Sequence, residues 1–383
     1  MNDIMDIISK SVMLEEEVSE SGFWDGFENF PPAPEDARIA EIANKQKVRI
    51  KIVGCGGGGC NTVERLNLTG VKGAELIAVN TDAKHLLSLG TRRKMLIGRN
   101  LMGGDGTGAE PKIGENCALE DIIPIQKLTY GTDITFITCG LGGGTGTGAS
   151  PVIAKSAKDA GSTVISIVTL PFKSEGDIRT ENALNGLEKL AQYSDTVIAI
   201  PNDKLLEEVP GLSIETAFGY ADTLLGETIK GMTELITLTG IINVDYADVK
   251  AVMKDGGVAM VGTGESSVGD DRVLRAINEA LTSRLVEADI SDARNCIVRI
   301  IGGYDMTVSE AESATNEVQK RINPNAKIIW GASVEKYYNK KIRVLVLLTG
   351  VKSPYMLANR ADAKQLRKLL SNAEQEQEID IVS

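Results

Sequence analysis

The stretch GLGGGTGTGAS, Gly140–Ser150, carries six glycines in the nine positions from Gly140 to Gly148 and runs directly into Pro151. So dense a run keeps Cβ atoms away from whatever approaches the backbone. The segment before it, DITFITCG, is an apolar β-branched run that reads as a strand, and the pattern after it reads as a helix. A helix N-terminus exposes unpaired N–H groups and about half a positive charge, and both suit an anionic group such as phosphate. Pro151 is expected in the first turn of that helix, where proline is tolerated. The strand–turn–helix context favours a phosphate cradle over a loop whose glycines serve packing alone.

Working outward, VRIKIVG, AELIAVNTD, DITFITCG, STVISIVTLP and TVIAIPN read as strands, most of them apolar throughout, as strands covered on both faces are. Helical patterns near residues 59–69, 113–129, 147–160 and 178–192 separate them. This alternation predicts an α/β fold with a Rossmann-like, mainly parallel sheet over residues 46–212. The strands lead into GCGGGGCN, NTD, GLGGGTGTG, PFKSEGDIR and PND. In an open α/β sheet the ligand crevice lies beyond the carboxyl ends of the strands, where all these segments fall. A long central helix is expected over residues 213–240, with Phe218, Ala221, Leu225, Ile229, Met232 and Ile236 recurring every three or four positions and Gly240 as its stop. At ~1.5 Å per residue it would be roughly 35–40 Å long. Beyond it, CIVRIIGG, AKIIWGASV and KIRVLVLLTGV read as strands and SEAESATNEVQKRI as a helix, giving a second, smaller α/β domain over residues 241–352. Residues 1–45 form an acidic extension, expected to be flexible, and residues 353–383 a C-terminal helix and tail.

GCGGGGCN, Gly54–Asn61, reads as a second glycine-rich loop and satisfies GxGxxG at Gly54, Gly56 and Gly59. With Asp82 about twenty positions on, it fits a dinucleotide-binding dehydrogenase, which would leave the second glycine run without a role. Neither run contains the lysine of GxxxxGK[ST], which excludes a Walker-type P-loop.

Composition narrows the classes further. The 383 residues carry a net charge of −12, of which residues 1–45, with eleven acidic and three basic side chains, hold −8. No basic footprint for a nucleic acid exists in either part. No run approaches the ~20 apolar residues of a membrane span, and the N-terminus lacks a signal pattern, so a cytoplasmic protein without direct membrane insertion is expected. Cys55, Cys60, Cys117, Cys139 and Cys296 form no CxxC pair and with His85 supply no zinc set, so no protein-held metal is expected. His85 has no Ser or Cys partner motif that would suggest a triad.

GGGTGTG after a strand resembles the signature of the tubulin and FtsZ superfamily, and the chain is similar to the FtsZ family of prokaryotic cell-division GTPases, of archaeal type. GCGGGGCN, AVNTD, GDGTGAEP, TLPFKSEGDIR, IPNDKLL, AFGYAD and NVDYADVK occur in the family's order between Val48 and Val351. The resemblance implies GTP and GDP as ligands, with Mg²⁺ held mainly by the phosphates. It puts Gly57, Gly58, Gly59, Cys60 and Asn61 along the phosphates and sugar, and Gly143, Gly144, Thr145 and Gly146 around phosphate. Thr107, Gly108 and Ala109 would face the terminal phosphate, with Glu175 and Arg179 near the ribose. Asp222 would hold the base, because a carboxylate accepts two hydrogen bonds and guanine offers adjacent ring and exocyclic N–H donors. Cys60 replaces the family's usual glycine, so a conformation that tolerates a Cβ is expected there. An exposed ion pair remains the alternative for Glu175 and Arg179.

The resemblance assigns Asp245 and Asp248, with Asn243 beside them, to orienting and polarising the attacking water. The alternative makes Asp245 a helix cap and Asp248 an exposed charge. These carboxylates follow the far end of the central helix, too distant to reach the γ-phosphate of their own molecule. Head-to-tail assembly, in which a neighbour supplies them, is therefore expected, and a heterologous contact that does not close makes a filament.

The function expected is a GTP-hydrolysing filament of the mid-cell division ring, with a tubulin-like filament for cell shape or scaffolding as the alternative and a dehydrogenase as a remote one. Besides itself, the chain would bind a membrane-adaptor division protein, through the C-terminal EQEQEIDIVS or through the N-terminal cluster Phe23, Trp24, Phe27 and Phe30.

Overall fold

The computed structural model describes residues 48–204, 214–237, 242, 244–267, 269, 271–282 and 290–351. Six strands, β1 (Ile50–Cys55), β2 (Ala74–Asn80), β3 (Arg93–Leu96), β4 (Ile134–Gly140), β5 (Thr163–Leu170) and β6 (Thr196–Pro201), form a parallel half-sheet. β7 (Gly257–Ser266), β8 (Asn295–Gly302), β9 (Lys327–Val334) and β10 (Ile342–Thr349) form a mixed half, in which β10 runs antiparallel to β7 and β8 while β9 is parallel to β8. The order is β3-β2-β1-β4-β5-β6-β7-β10-β8-β9, and the halves meet through only two registered pairs, Thr196 with Gly257 and Val197 with Val258.

Alternation along the parallel strands feeds two cores. Ile50, Ile52, Ile134 and Phe136 face one side with Leu225, Ile229 and Met232. Val53, Cys55, Ile137 and Cys139 face the other with Ala149, Ile153 and Leu187. Successive Cβ atoms of a strand point to opposite faces, so strands apolar at every position are the consequence of helices on both sides.

Those helices are, in chain order, α1 (Gly56–Thr69), α2 (Ala83–Ser88), α3 (Arg99–Met102), α4 (Pro111–Glu120), α5 (Ile122–Thr129), α6 (Thr145–Asp159), α7 (Asp177–Tyr193) and the long α8 (Ile214–Thr237), followed by α9 (Tyr246–Met253), α10 (Arg272–Thr282) and α11 (Val308–Gln319). At ~1.5 Å per residue the 24 residues of α8 span about 36 Å. Its expected stop at Gly240 lies outside the described residues, as do Asn243, the N-terminal aromatic cluster and the C-terminal tail.

Several expectations are corrected. GCGGGGCN is no loop, because β1 ends at Cys55 and α1 starts at Gly56, whose φ of +71° makes the reversal in one residue. Pro151 is the seventh residue of α6, beyond its first turn. The single helix read over 113–129 is two, α4 and α5, broken at Asp121, whose Oδ2 accepts from the Gly98 N–H at 2.7 Å. Strands β3 and β7 and helix α10 went unread, β3 because it is four residues long and β7 because its glycines weaken the strand pattern.

Candidate functional site

The carboxyl edge of the parallel half-sheet gathers most of the residues singled out by the sequence. At this edge the glycines divide into two kinds. A Cβ on Gly54 would lie 2.1 Å from the Gly59 carbonyl oxygen, one on Gly59 would lie 2.1 Å from that of Thr138, and one on Gly144 would lie 2.0 Å from Thr107 Oγ1. These serve close packing of β1, α1, β4 and the start of α6. Gly57, Gly108 and Gly143 would meet nothing within 4 Å, so their missing side chains leave open space above the N-termini of α1 and α6. Packing and access are both reasons for the glycines, at different positions.

Hydroxyls line the same place. Thr145, the first residue of α6, has its Oγ1 2.6 Å from Thr81 Oγ1 and 3.3 Å from Thr107 Oγ1. Gly108 and Ala109 follow with φ of +58° and +63°. A non-glycine residue in the left-handed region stores backbone strain of the kind that collects at ligand clamps.

On α1, the Cys60 side chain turns inward. Its thiol lies 3.5 Å from the Val79 carbonyl oxygen and packs against Ala78, Leu86 and Leu89, and burial pushes its pKa up to about 12. A Cβ is tolerated there because it enters the core, and only the Cys60 main chain can face the cradle. Asn61 is exposed, with Oδ1 3.0 Å from His85 Nε2. Thr62 Oγ1 lies 3.2 Å from Asp222 Oδ1 on α8, and burial pushes the Asp222 carboxyl up to about 6.

Glu175, just before α7, and Arg179, in its first turn, form an ion pair, and Glu175 Oε1 accepts from the Phe172 N–H at 3.0 Å. A Cβ on Gly142 would come within 3.0 Å of the Arg179 carbonyl oxygen, so this pair borders the glycine turn.

Asp245 and Asp248 lie elsewhere. Asp245 caps α9, its Oδ1 accepting from the Ala247 N–H at 3.1 Å. Asp248, in the first turn, accepts from Lys327 Nζ at 2.8 Å. The helix they begin packs on the amino edge of the sheet, where Thr196 Oγ1, at the start of β6, donates to the Met253 carbonyl at 2.6 Å. Tyr246 is close enough to Asp133, just before β4, for that carboxylate to add to burial in raising its phenol pKa. A parallel strand of seven residues such as β4 is about 23 Å long. One edge thus carries the cradle and the opposite edge carries the two aspartates.

Sequence reasoning missed Thr62, His85 and Lys327. Thr62 adjoins Asn61 and could have been suspected, whereas nothing local links His85 to Asn61 or Lys327 to Asp248. Asp82, the acidic residue a dehydrogenase would need, instead caps α2, accepting from the His85 N–H at 3.0 Å. No helix among the described residues is long and apolar enough to cross a membrane.

Residues 49–210 match the GTPase domain of the Tubulin/FtsZ family and residues 257–352 the C-terminal domain of the FtsZ family. The cell division protein FtsZ of Methanothermobacter thermautotrophicus is 47% identical over 330 residues, covering 86% of each chain. Cell division protein FtsZ 1 of Archaeoglobus fulgidus is 46% identical over 322 residues, 84% of this chain and 87% of that one. Among solved structures, an empty FtsZ dimer from M. jannaschii superposes with a TM-score of 0.79 at 43% identity, over 86% of this chain and 99% of that chain. CetZ1 of Haloferax volcanii, at 22% identity and a TM-score of 0.70 over 85% of this chain and all of that one, shares the fold.

Proposed function

The chain belongs to the FtsZ family of cell-division GTPases, and from that premise we propose that it binds GTP at the carboxyl edge of its parallel sheet, assembles head to tail, and hydrolyses GTP with aspartates supplied by the next subunit. The observation that carries this reading is the opposition of the two edges. The glycine cradle stands at one, while α9, bearing Asp245 and Asp248, docks at the other through Thr196 and Met253. About 22 Å of helix also separates Asp222 from the end of α8 at Thr237. No single copy can close that gap, whereas a stacked neighbour can.

In this site, the N–H groups at the start of α6 and the Thr81, Thr107 and Thr145 hydroxyls cradle phosphate oxygens. Gly57, Gly58, Gly59 and the Cys60 main chain border them, as do Gly143, Gly144 and Gly146, and Asn61 follows on the side of the sugar and base. Gly108 and Ala109 face the terminal phosphate, Glu175 and Arg179 the ribose, and Asp222 the base. Mg²⁺ fits here only as an ion held mainly by the phosphates, because the cradle offers hydroxyls and no grouped carboxylates; when bound, it neutralises charge developing on the phosphate oxygens. From the neighbour, Asp245, Asp248 and Asn243 orient the attacking water. Residues 46–212, 213–240 and 241–352 are then the nucleotide domain, the connecting helix and the domain that presents the acidic loop.

The relatives' names favour division over cell shape, and a division filament would act at a mid-cell ring on the cytoplasmic side of the membrane. Attachment there requires a membrane-adaptor partner, for which the C-terminal tail and the N-terminal aromatic segment are the proposed contacts. Phosphate release and light scattering on GTP addition test the mechanism. Wild-type turnover per subunit should rise above a critical concentration. Asp248→Ala should still scatter light but turn over about 100-fold more slowly. Unchanged turnover removes Asp248 from the reaction.

A further inference from the structure

The chain's single histidine stands in a hydrogen-bond series whose direction is fixed. Asn80 ends β2, and its Oδ1 accepts from the Thr81 N–H at 2.9 Å. The Asn80 atom 3.1 Å from His85 Nδ1 is therefore the amide nitrogen, which can only donate. Nδ1 is then the bare ring nitrogen and Nε2 carries the proton. Nε2 lies 3.0 Å from Asn61 Oδ1, which accepts it. With its oxygen turned toward the ring, Asn61 presents its NH₂ group on the side away from the histidine. The main chain of His85 is held as well, because Asp82 accepts from its backbone N–H at 3.0 Å.

Asn61 adjoins Thr62, whose hydroxyl meets Asp222. A side chain held as a donor thus stands near a carboxylate acceptor. Guanine presents an O6 acceptor beside its N1 and N2 donors, whereas adenine presents an N6 donor at the corresponding position. We propose that His85 is a positioning residue for base selection: it locks Asn61 as a donor to the 6-oxo group of guanine, while Asp222 accepts from the ring and exocyclic N–H groups. This rests on the nucleotide reading of the site given above. Glutamine at position 85 can preserve the series, since its carbonyl can accept from Asn80 and its amide can donate to Asn61. Alanine cannot, and Asn61 is then free to present its oxygen.

The test is equilibrium binding to the full-length chain of GDP and of the 2-aminopurine riboside diphosphate, which lacks the 6-oxo group. His85→Ala should weaken GDP by about three- to tenfold, the equivalent of one net hydrogen bond, and leave the 2-aminopurine ligand unchanged. His85→Gln should stay within about twofold of wild type for both. Asn61→Asp, which makes the side chain acceptor-only without touching the histidine, should weaken GDP more than the 2-aminopurine ligand and keeps the proposal testable if His85→Ala does not fold. Unchanged GDP binding in His85→Ala, or equal loss of both ligands, overturns the role of His85. Unchanged GDP binding in Asn61→Ala also overturns the proposal, whereas the nucleotide reading itself fails on a different result, no measurable GDP binding to the wild-type chain.

Discussion

At Asp222 the environment sets a chemical property that a sequence position does not. Burial lifts its carboxyl from the ordinary value of 3.8 to about 6, opposed by the Thr62 hydroxyl and the charge of Arg65. A folded-state pKa above the unfolded one means that the ligand-free fold holds a proton which the unfolded chain releases. The stabilisation from this residue is therefore full below about pH 4 and is lost as pH rises through about 6. On the proposed reading nucleotide binding runs the other way, because guanine's N–H donors would require the ionised carboxylate. GDP affinity should fall about tenfold between pH 7 and pH 5, and Asp222→Asn should bind more weakly at pH 7 with a much flatter profile. Calorimetric titration at several pH values checks this, and parallel profiles for the two proteins would count against it. Asp245 caps α9 and Asp248 pairs with Lys327, so the helix cap and exposed charge that the sequence offered as the alternative for them are present.

Among the elements, the start of α6 decides the site. Its glycines look equivalent in GLGGGTGTG, yet Gly144 packs against Thr107 while Gly143 faces open space. Gly144→Ala should lower the melting temperature by several degrees, the effect of about 1–3 kcal/mol of overpacking. Gly143→Ala should melt as wild type does and lose nucleotide affinity, and melting and binding curves separate the two. α8 is tied to the mixed half-sheet by a buried ion pair, Arg299 Nη2 to Glu234 Oε2 at 3.2 Å, with Arg299 Nη1 donating to the Gly231 carbonyl at 2.8 Å. Arg299→Met strands a buried carboxylate and should cost about 3–5 kcal/mol in denaturant unfolding. Lys230 Nζ, 3.9 Å from the same carboxylate, moderates the loss, and adding Glu234→Met should recover much of it. If the double variant is no more stable than the single one, the pair is not the cause.

For the whole molecule, the proposed reading, with cradle and aspartates on opposite edges, makes turnover depend on contacts between copies. A variant damaged at Gly143 and another damaged at Asp248 should each turn over poorly, and their mixture should regain activity at interfaces that join one intact cradle to one intact acidic loop. Copolymerising mixtures with no regained phosphate release would show that the site is not shared between copies. The parallel half-sheet, the long helix and the glycine-rich edge were legible along the chain because each is written locally: β-branched runs apolar at every position, a 3.6-residue apolar period, and glycines between a strand and a helix. The inward turn of Cys60, the series joining His85 to Asn61 and the pairing of Asp248 with Lys327 were not, because they depend on which distant segments pack together. By itself the sequence determined the fold class and which residues crowd the strands' carboxyl ends, since the periodicity of buried side chains and the steric freedom of glycine act between near neighbours. Only the tertiary structure decided which glycines pack and which stand open, what pKa Asp222 has, and which partners hold Asp245 and Asp248, because burial, charge and direction are set by atoms many residues away.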